Sequence, residues 1–472
     1  MPSMSGLKKL IKQEKIEYID LKFCDLAGAW HHITIPSENL NPELLKVGVG
    51  LDGSSLPGFV KIERGDMIAL PELETAFIDP FFETPTLSLI CDIMSVEGGI
   101  GPYSRNPRRV VKDAARYMKK IIPGARSILG PEFEFYLFDD VKFYQGPERG
   151  YYFIDSEEAE WNTGREGEKN LGYKIQYKGG YHAAPPLDQT FNLRSEMTSL
   201  LREVGIGIKY HHHEVGGAGQ HEIEIAHDEM VKVADQTMII KYFVKNHAFR
   251  AHRSATFMPK PLYNEPGSGM HVHQYIADKK GSIFYDKKGI ARFSKMGLHY
   301  IGGLLKHAPA VFAFTNPSTN SYKRLVPGFE APVWGTYSVG NRTACIRIPG
   351  YQRKASTHRL EFRPPDATCN PYLAYPAMLM AGLDGIRNKI DPGLPVNKNM
   401  TDMPARELKK IPLLPTSLTK ALDALEKDYR FLLEGGVFTE DLINAWIMLK
   451  RKDVEQIRTR PHPWEFMMYY DK

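Results

Sequence analysis

Short alternating segments separated by turn residues dominate the hydrophobic pattern of this chain. A period of two is that of a strand, whose successive side chains point to opposite faces. EYIDLKFCD and AWHHITIP read as strands joined by a D-L-A-G turn, and TLSLICDI as another. Residues 4 to 15 read as a short helix behind a Ser5 cap. A restart follows at SRNPRRVVKDAARYMKK, where Asn106 suits a helix cap and Pro107 the first helical turn. The small strand-rich region therefore ends near residue 103, giving domains over 1–103 and 104–472, the second a large α+β domain. Three long segments interrupt it: 141–180, 314–335 and the Pro-rich 389–415. Loops of that length inside a compact domain are usually functional or interfacial.

The same alternation concentrates acids. In GPEFEFYLF, Glu132 and Glu134 share one strand face while Phe133, Phe135 and Leu137 share the other. By the same rule Glu222 goes with Glu224, His271 with His273, and Arg359 with Glu361 and Arg363. Glu214 opens the HEVGGAGQHE segment that leads to Glu222. A lone E-x-E is ordinarily a solvated face, and tandem histidines such as His211, His212 and His213 are ordinarily surface or core residues. Recurrence in matching form, each time with an apolar opposite face, points instead to a site. Carboxylates on a half-buried sheet repel one another and lose hydration unless something positive sits among them. An oxygen-rich set with one imidazole suits Mg²⁺ or Mn²⁺ better than zinc. The pattern predicts a two-metal, phosphate-handling centre.

Composition adds bounds. The chain has 472 residues and a net charge of +5 with both signs interspersed, which gives no reason to expect a nucleic-acid partner. Cys24, Cys91, Cys345 and Cys369 form no C-x-x-C and fit a reducing compartment as buried small hydrophobes. MPSMSGLKKLIKQEK carries no signal-peptide core, and no apolar run is long enough to span a bilayer, so a cytoplasmic, membrane-free protein is expected. The tail RPHPWEFMMYYDK is aromatic where chain ends are normally polar, which predicts burial against another subunit.

GPEFEF, HHHEVGGAGQHE, TFMPKP, GSGMHVH, NPSTNSYKRLVPGFEAP, NRTACIRIP and HRLEFRPPDATCNPYL resemble the type I glutamine synthetases, nearly end to end. The resemblance implies an N-terminal β-grasp domain and a C-terminal α+β catalytic domain. It also implies a homododecamer of two hexameric rings with active sites shared between neighbours. The implied reaction makes L-glutamine from L-glutamate, ammonium and ATP through γ-glutamyl phosphate. Carried over by position, Glu134, Glu214 and Glu222 hold one divalent cation, and Glu132, His271 and Glu361 the second. Arg342, Arg347, Arg359 and Arg363 match phosphate and carboxylate contacts, Arg324 matches the arginine on the substrate glutamate, and His273 matches a phosphate contact. Asp52, beside Ser54, is the implied base for ammonium, Tyr181 lines its pocket, and Glu330 is the flap acid that closes over the acyl phosphate. Gly267 and Gly269 are expected to let main chain approach the substrate. Because Asp52 lies in the small domain, the resemblance implies that it serves a neighbour's site.

Departures from the pattern narrow the reading. Pro266 stands where asparagine is usual, and Tyr275 and Ser356 stand where serine and lysine meet the nucleotide. Relatives that use bulkier amines such as polyamines tend to lose the ammonium-site acids, whereas Asp52, Tyr181 and Glu330 are present here. The segment matching the adenylylated KNLYDLP reads KNMTDMP, with Thr401 in place of the modified tyrosine. The chain is therefore expected to escape adenylylation. Incubation with an adenylyltransferase and ATP should leave its intact mass unchanged, and a gain of one AMP per subunit would contradict this.

Overall fold

The computed structural model describes residues 3–167, 169–327, 331–352 and 354–472. Near the N-terminus, β1 (Tyr18–Cys24), β2 (Trp30–Pro36), β3 (Val49–Asp52), β4 (Asp66–Ile78) and β5 (Thr86–Ser95) form a sheet in the order β2-β1-β5-β4-β3. β1 and β5 run parallel and the other neighbours antiparallel, the expected β-grasp arrangement. The D-L-A-G turn closes as read: Asp25 Oδ1 accepts the Gly28 and Ala29 N–H groups at 2.8 and 2.9 Å, and Gly28 takes φ +98°. β4 went unread because Pro71 and a bulge between Glu72 and Phe77 break its pattern. β3 pairs only with Asp66–Ala69, so that edge of β4 asks no N–H of Pro71.

The first helix, α1 (Met4–Gln13), is capped by Ser3 rather than Ser5, because Ser3 Oγ accepts the Gly6 N–H at 3.1 Å. α2 (Pro107–Ile121) starts as expected, with Asn106 Oδ1 accepting the Arg108 N–H at 3.2 Å. Beyond it lie α3 (Phe191–Glu203), α4 (Met230–Arg250), α5 (Lys295–Thr315) and α6 (Pro371–Asn388). α5 and α6 cross at glycines: a methyl group on Gly303 would sit 2.1 Å from the Ala381 carbonyl oxygen.

The large sheet is built from β6 (Arg126–Phe138), β7 (Ile208–His213), β8 (Gln220–Ile225), β9 (Val272–Asp278), β10 (Trp334–Val339), β11 (Ala344–Ile348) and β12 (Leu360–Phe362). Their order is β7-β8-β6-β9-β12-β11-β10. Phe133, Phe135 and Leu137 are fully buried, on the apolar face predicted for β6, and that strand packs against α4. Each such side chain contributes roughly 1.5–3 kcal/mol on leaving water. This apolar face anchors the strand that carries Glu132 and Glu134.

One arginine ties the small sheet to the large domain. Arg108 on α2 donates from Nε and Nη2 to the two oxygens of Asp235 on α4, both at 2.8 Å, and also contacts Glu72 of β4. Tyr372 on α6 adds its hydroxyl to Asp235 at 2.7 Å. A two-pronged buried pair of this kind is strong, and removing one partner costs about 3–5 kcal/mol.

One expectation is modified, and one gains detail. Segment 141–180 is not a plain loop, because Asp140–Gln145 pairs with Gly150–Asp155 as a hairpin that exposes Phe143 and Tyr152. The aromatic tail forms α7 (Pro463–Tyr469), with Trp464, Phe466, Met467 and Tyr469 more than half exposed on the single chain.

Candidate active site

The ladders set the acids opposite one another. Between β8 and β6, Glu222 faces Glu134 and Glu224 faces Glu132. Between β7 and β8, His212 faces Glu222. Across β9, β12 and β11, His273 faces Glu361, and Glu361 faces Arg347. Like charges directly opposite one another destabilise a sheet, so this face is not arranged for stability. His271 enters from the segment before β9, where main-chain bonds from Glu132 N to His271 O (2.9 Å) and from Glu134 N to Gly269 O (3.2 Å) stitch it to β6. Its Nδ1 lies 3.0 Å from Glu132, 3.7 Å from Glu134 and 4.0 Å from Glu361. The face forms the floor of a cleft of about 980 Å³.

Donor atoms gather in two groups along that floor. Glu132, His271 and Glu361 have one potential ligand atom each within 4.8 Å of one another, as do His212, Glu214 and Glu222. Burial pushes the Glu214 carboxyl up, and Glu134 and Glu222 beside it add to that, raising it to about 8. Burial and the acids Glu132, Glu134, Glu224 and Glu361 hold Glu222 well above the carboxylate range. At the other group the balance reverses. Burial opposes ionisation of Glu132, but His273 and His271 outweigh it and hold the group well below its ordinary value. Glu361 is also buried, yet Arg363 with His273 and Arg347 brings it down to about 2. The two arginines donate to separate oxygens of Glu361. A pair of divalent cations fits this donor set: crowded carboxylates and single imidazoles, with Glu214 and Glu222 raised for want of positive charge.

Most of the expected residues border the cleft: Glu132, Glu134, Tyr181, Glu214, Glu222, Gly267, His271, Arg324, Arg342, Arg347, Glu361 and Arg363. Others stand elsewhere. His273 is fully buried on the same face but does not line the cleft; its Nε2 lies 2.8 Å from Glu132, and so it touches a cleft acid rather than the cleft. Arg359 does not line the cleft either; it precedes β12, which begins at Leu360, and its guanidinium sits over the ring of Tyr351 at 5.9 Å. Asp52 lies exposed in the small domain, away from its own chain's cleft, with Ser54 and Ser55 donating to its carboxylate at 2.7 and 2.9 Å. Glu330 falls outside the described residues.

The segment before β9 also shows how Arg324 is seated. Gly267 and Gly269 make room for Arg324: a methyl group on Gly269 would lie 2.4 Å from its Nη2, and one on Gly267 would lie 2.7 Å from its Cγ. Arg324 itself donates to the carbonyls of Pro364, Pro365 and Arg363 at 2.7, 3.2 and 3.2 Å, while its Nη2 also lies 3.3 Å from His271 Nε2. The Pro266 carbonyl accepts the Tyr136 hydroxyl at 2.6 Å.

The sequence reading missed His212, Lys209, Tyr210, Gln220 and Tyr351, all of which line the cleft. His212 was legible, since it shares a strand face with Tyr210 and precedes Glu214 by two residues. Lys209 was not. Strict alternation puts it with His211 and His213, but the β7 register shifts between Ile208 and Tyr210. A bulge re-aims a side chain, and Lys209 contacts Glu224, a fully buried acid.

Comparison with known proteins agrees with this geometry. The family model of the glutamine synthetase beta-Grasp domain matches residues 15–96, and that of the glutamine synthetase catalytic domain matches residues 104–469. The glutamine synthetase of Frankia alni is 49% identical over 98% of both chains, and that of Nostoc sp. is 48% identical over 100% of both. The cryo-EM structure of Plasmodium falciparum glutamine synthetase superposes with a TM-score of 0.91 at 27% identity, covering 100% of this chain and 99% of that one. The ADP complex of GmaS gives 0.82 at 28% identity over 100% of each chain. With both models matched and full-length identity near one half, this chain belongs to the glutamine synthetase family.

Proposed function

We propose that this chain is a type I glutamine synthetase, a glutamate–ammonia ligase that forms L-glutamine, ADP and phosphate through γ-glutamyl phosphate. The observation that carries the reading is the facing of Glu134 and Glu222, with Glu132, His271 and Glu361 beside them, on the floor of one cleft. Mg²⁺ or Mn²⁺ bound by these residues would supply positive charge for a transferring phosphoryl group. One ion would be held by Glu134, Glu214 and Glu222 with His212 in reach, the other by Glu132, His271 and Glu361.

The chain's own residues do the rest. Arg347 and Arg363 at the cleft wall, with Arg342, offer donors to phosphate and carboxylate oxygens that lysine could not grip in two places. Arg324 and Gly267 border the part of the cleft assigned to L-glutamate, and Tyr181 the part assigned to ammonium. Arg359 and His273 stand beside cleft residues and support the nucleotide end through Tyr351 and Glu132. Glu330 is assigned to flap closure. Hydrogen bonds from Ser54 and Ser55 hold Asp52 below the ordinary carboxylate range. An ionised carboxylate both holds an ammonium cation and can take a proton from it, so Asp52 is assigned to binding ammonium at a neighbour's cleft and accepting the proton it gives up. That assignment, with the exposed apolar α7, supports a dodecamer in which sites form between subunits. The setting is taken to be cytoplasmic.

Two measurements test the proposal. In an ADP-release assay with L-glutamate, ATP and Mg²⁺, ammonium should drive turnover at least about tenfold better than putrescine. Glu132→Ala should cut that turnover by at least about 100-fold while the protein stays folded. A preference for putrescine, or an unaltered rate in the variant, would overturn the reading. The second concerns pH. Glu214 keeps its proton in the fold up to about 8 but releases it near 4.5 once unfolded, so metal-free stability falls as pH rises through that window. Melting temperature without metal should therefore drop from about pH 6 to about pH 9, with Mg²⁺ restoring most at the alkaline end. A metal-induced gain that is flat across pH would contradict the assignment of Glu214 as a ligand.

A further inference from the structure

The reverse face of the β7–β8 hairpin carries a second polar layer. His213 and His221 pair across the ladder, with rings 4.8 Å apart and nearly perpendicular at 86°. Both are fully buried, and each immediately precedes a cleft carboxylate, Glu214 or Glu222. Each is also held from outside the sheet. His221 Nδ1 faces Arg194 of α3 at 3.1 Å, and Arg194 pairs with both oxygens of Asp188 at 2.9 and 2.5 Å. His213 Nδ1 lies 2.7 Å from the Glu214 carbonyl oxygen, which can only accept, so Nδ1 donates. His213 Nε2 lies 3.0 Å from Glu158, which is 1% exposed and whose Oε2 has no hydrogen-bond partner among the described residues.

We propose that Glu158 is a positioning residue for the cation at the Glu214 end. Through His213 it fixes the main chain of Glu214, and with it the direction in which that carboxylate enters the cleft. The inference rests on the two-cation reading. Three observations single out Glu158. Burying an acid costs several kcal/mol unless it is well paired, so a bare packing role is a poor use of this position. The chain of bonds ends on the carbonyl of a proposed ligand, the outer-partner arrangement that orients metal-binding side chains. And Glu214 lies past the end of β7, in the turn before β8, whereas Glu132 and Glu361 lie within strands and are held by their ladders. Glu158 also accepts the Ile175 N–H on its own carbonyl at 2.7 Å, which joins the segment leading to Tyr181 to the same anchor.

Calorimetric titration of the full-length protein with Mn²⁺ alone tests this without turnover. The wild type should bind two ions per subunit. Glu158→Gln should weaken one of them about 10–100-fold and leave the other within about twofold. If that variant does not fold, Glu158→Asp, which keeps the charge but withdraws it by one methylene, is scored the same way. Two unchanged affinities in a folded variant, or two equally weakened ones, would overturn the positioning role while leaving the function intact. A wild type that binds fewer than two ions would instead sink the two-cation reading and this inference with it.

Discussion

Mutual repulsion among acids on one face of a sheet governs how the rest of this molecule is built. Glu134 and Glu222 are direct cross-strand neighbours, as are Glu132 and Glu224, and no stability argument favours that arrangement. The strands stay in place because the face behind Glu132, Glu134 and Glu222 buries apolar side chains. Phe133, Phe135, Leu137 and Ile223 are all fully buried there. Since a register slip of one residue would turn the acids into the core, the apolar face fixes the register and the acids follow from it.

The floor is electrostatically lopsided. At the end formed by Glu132 and Glu361, the protein sets Arg347, Arg363, His271 and His273 beside the carboxylates, which are held below their ordinary range. At the end formed by Glu214 and Glu222, it provides little, and burial with like charge raises both acids, Glu214 to about 8. The first end is ready for cation binding. The second must exchange protons for it. This difference follows from where the arginines fall: Arg347 sits opposite Glu361 in the β11–β12 ladder, whereas the β7–β8 hairpin brings histidines.

Period-two alternation made the floor legible in the sequence, because it reports face directly: Glu132 with Glu134, and Phe133 with Phe135, fell as read. The Asn106–Pro107 start of α2 was legible because cap chemistry is local. What could not be read depended on contacts distant in sequence or on irregular backbone. β4 hid behind Pro71 and a bulge, Lys209 behind another bulge, and the Ser3 cap behind a second serine two residues on. Arg359 stands just before the three-residue β12, so the ladder that fixes Glu361 does not extend to it. Gly267 and Gly269 also make room for Arg324, a neighbour that sequence distance concealed.

The central claim is that these converging acids are neutralised by two cations on one cleft floor. Anomalous diffraction at the manganese edge, from crystals grown with Mn²⁺ and a nucleotide, tests it most directly. The account predicts two peaks, one among Glu132, His271 and Glu361 and one among Glu134, Glu214 and Glu222. A cleft without manganese in ordered crystals, or with metal only at surface acids, would contradict it.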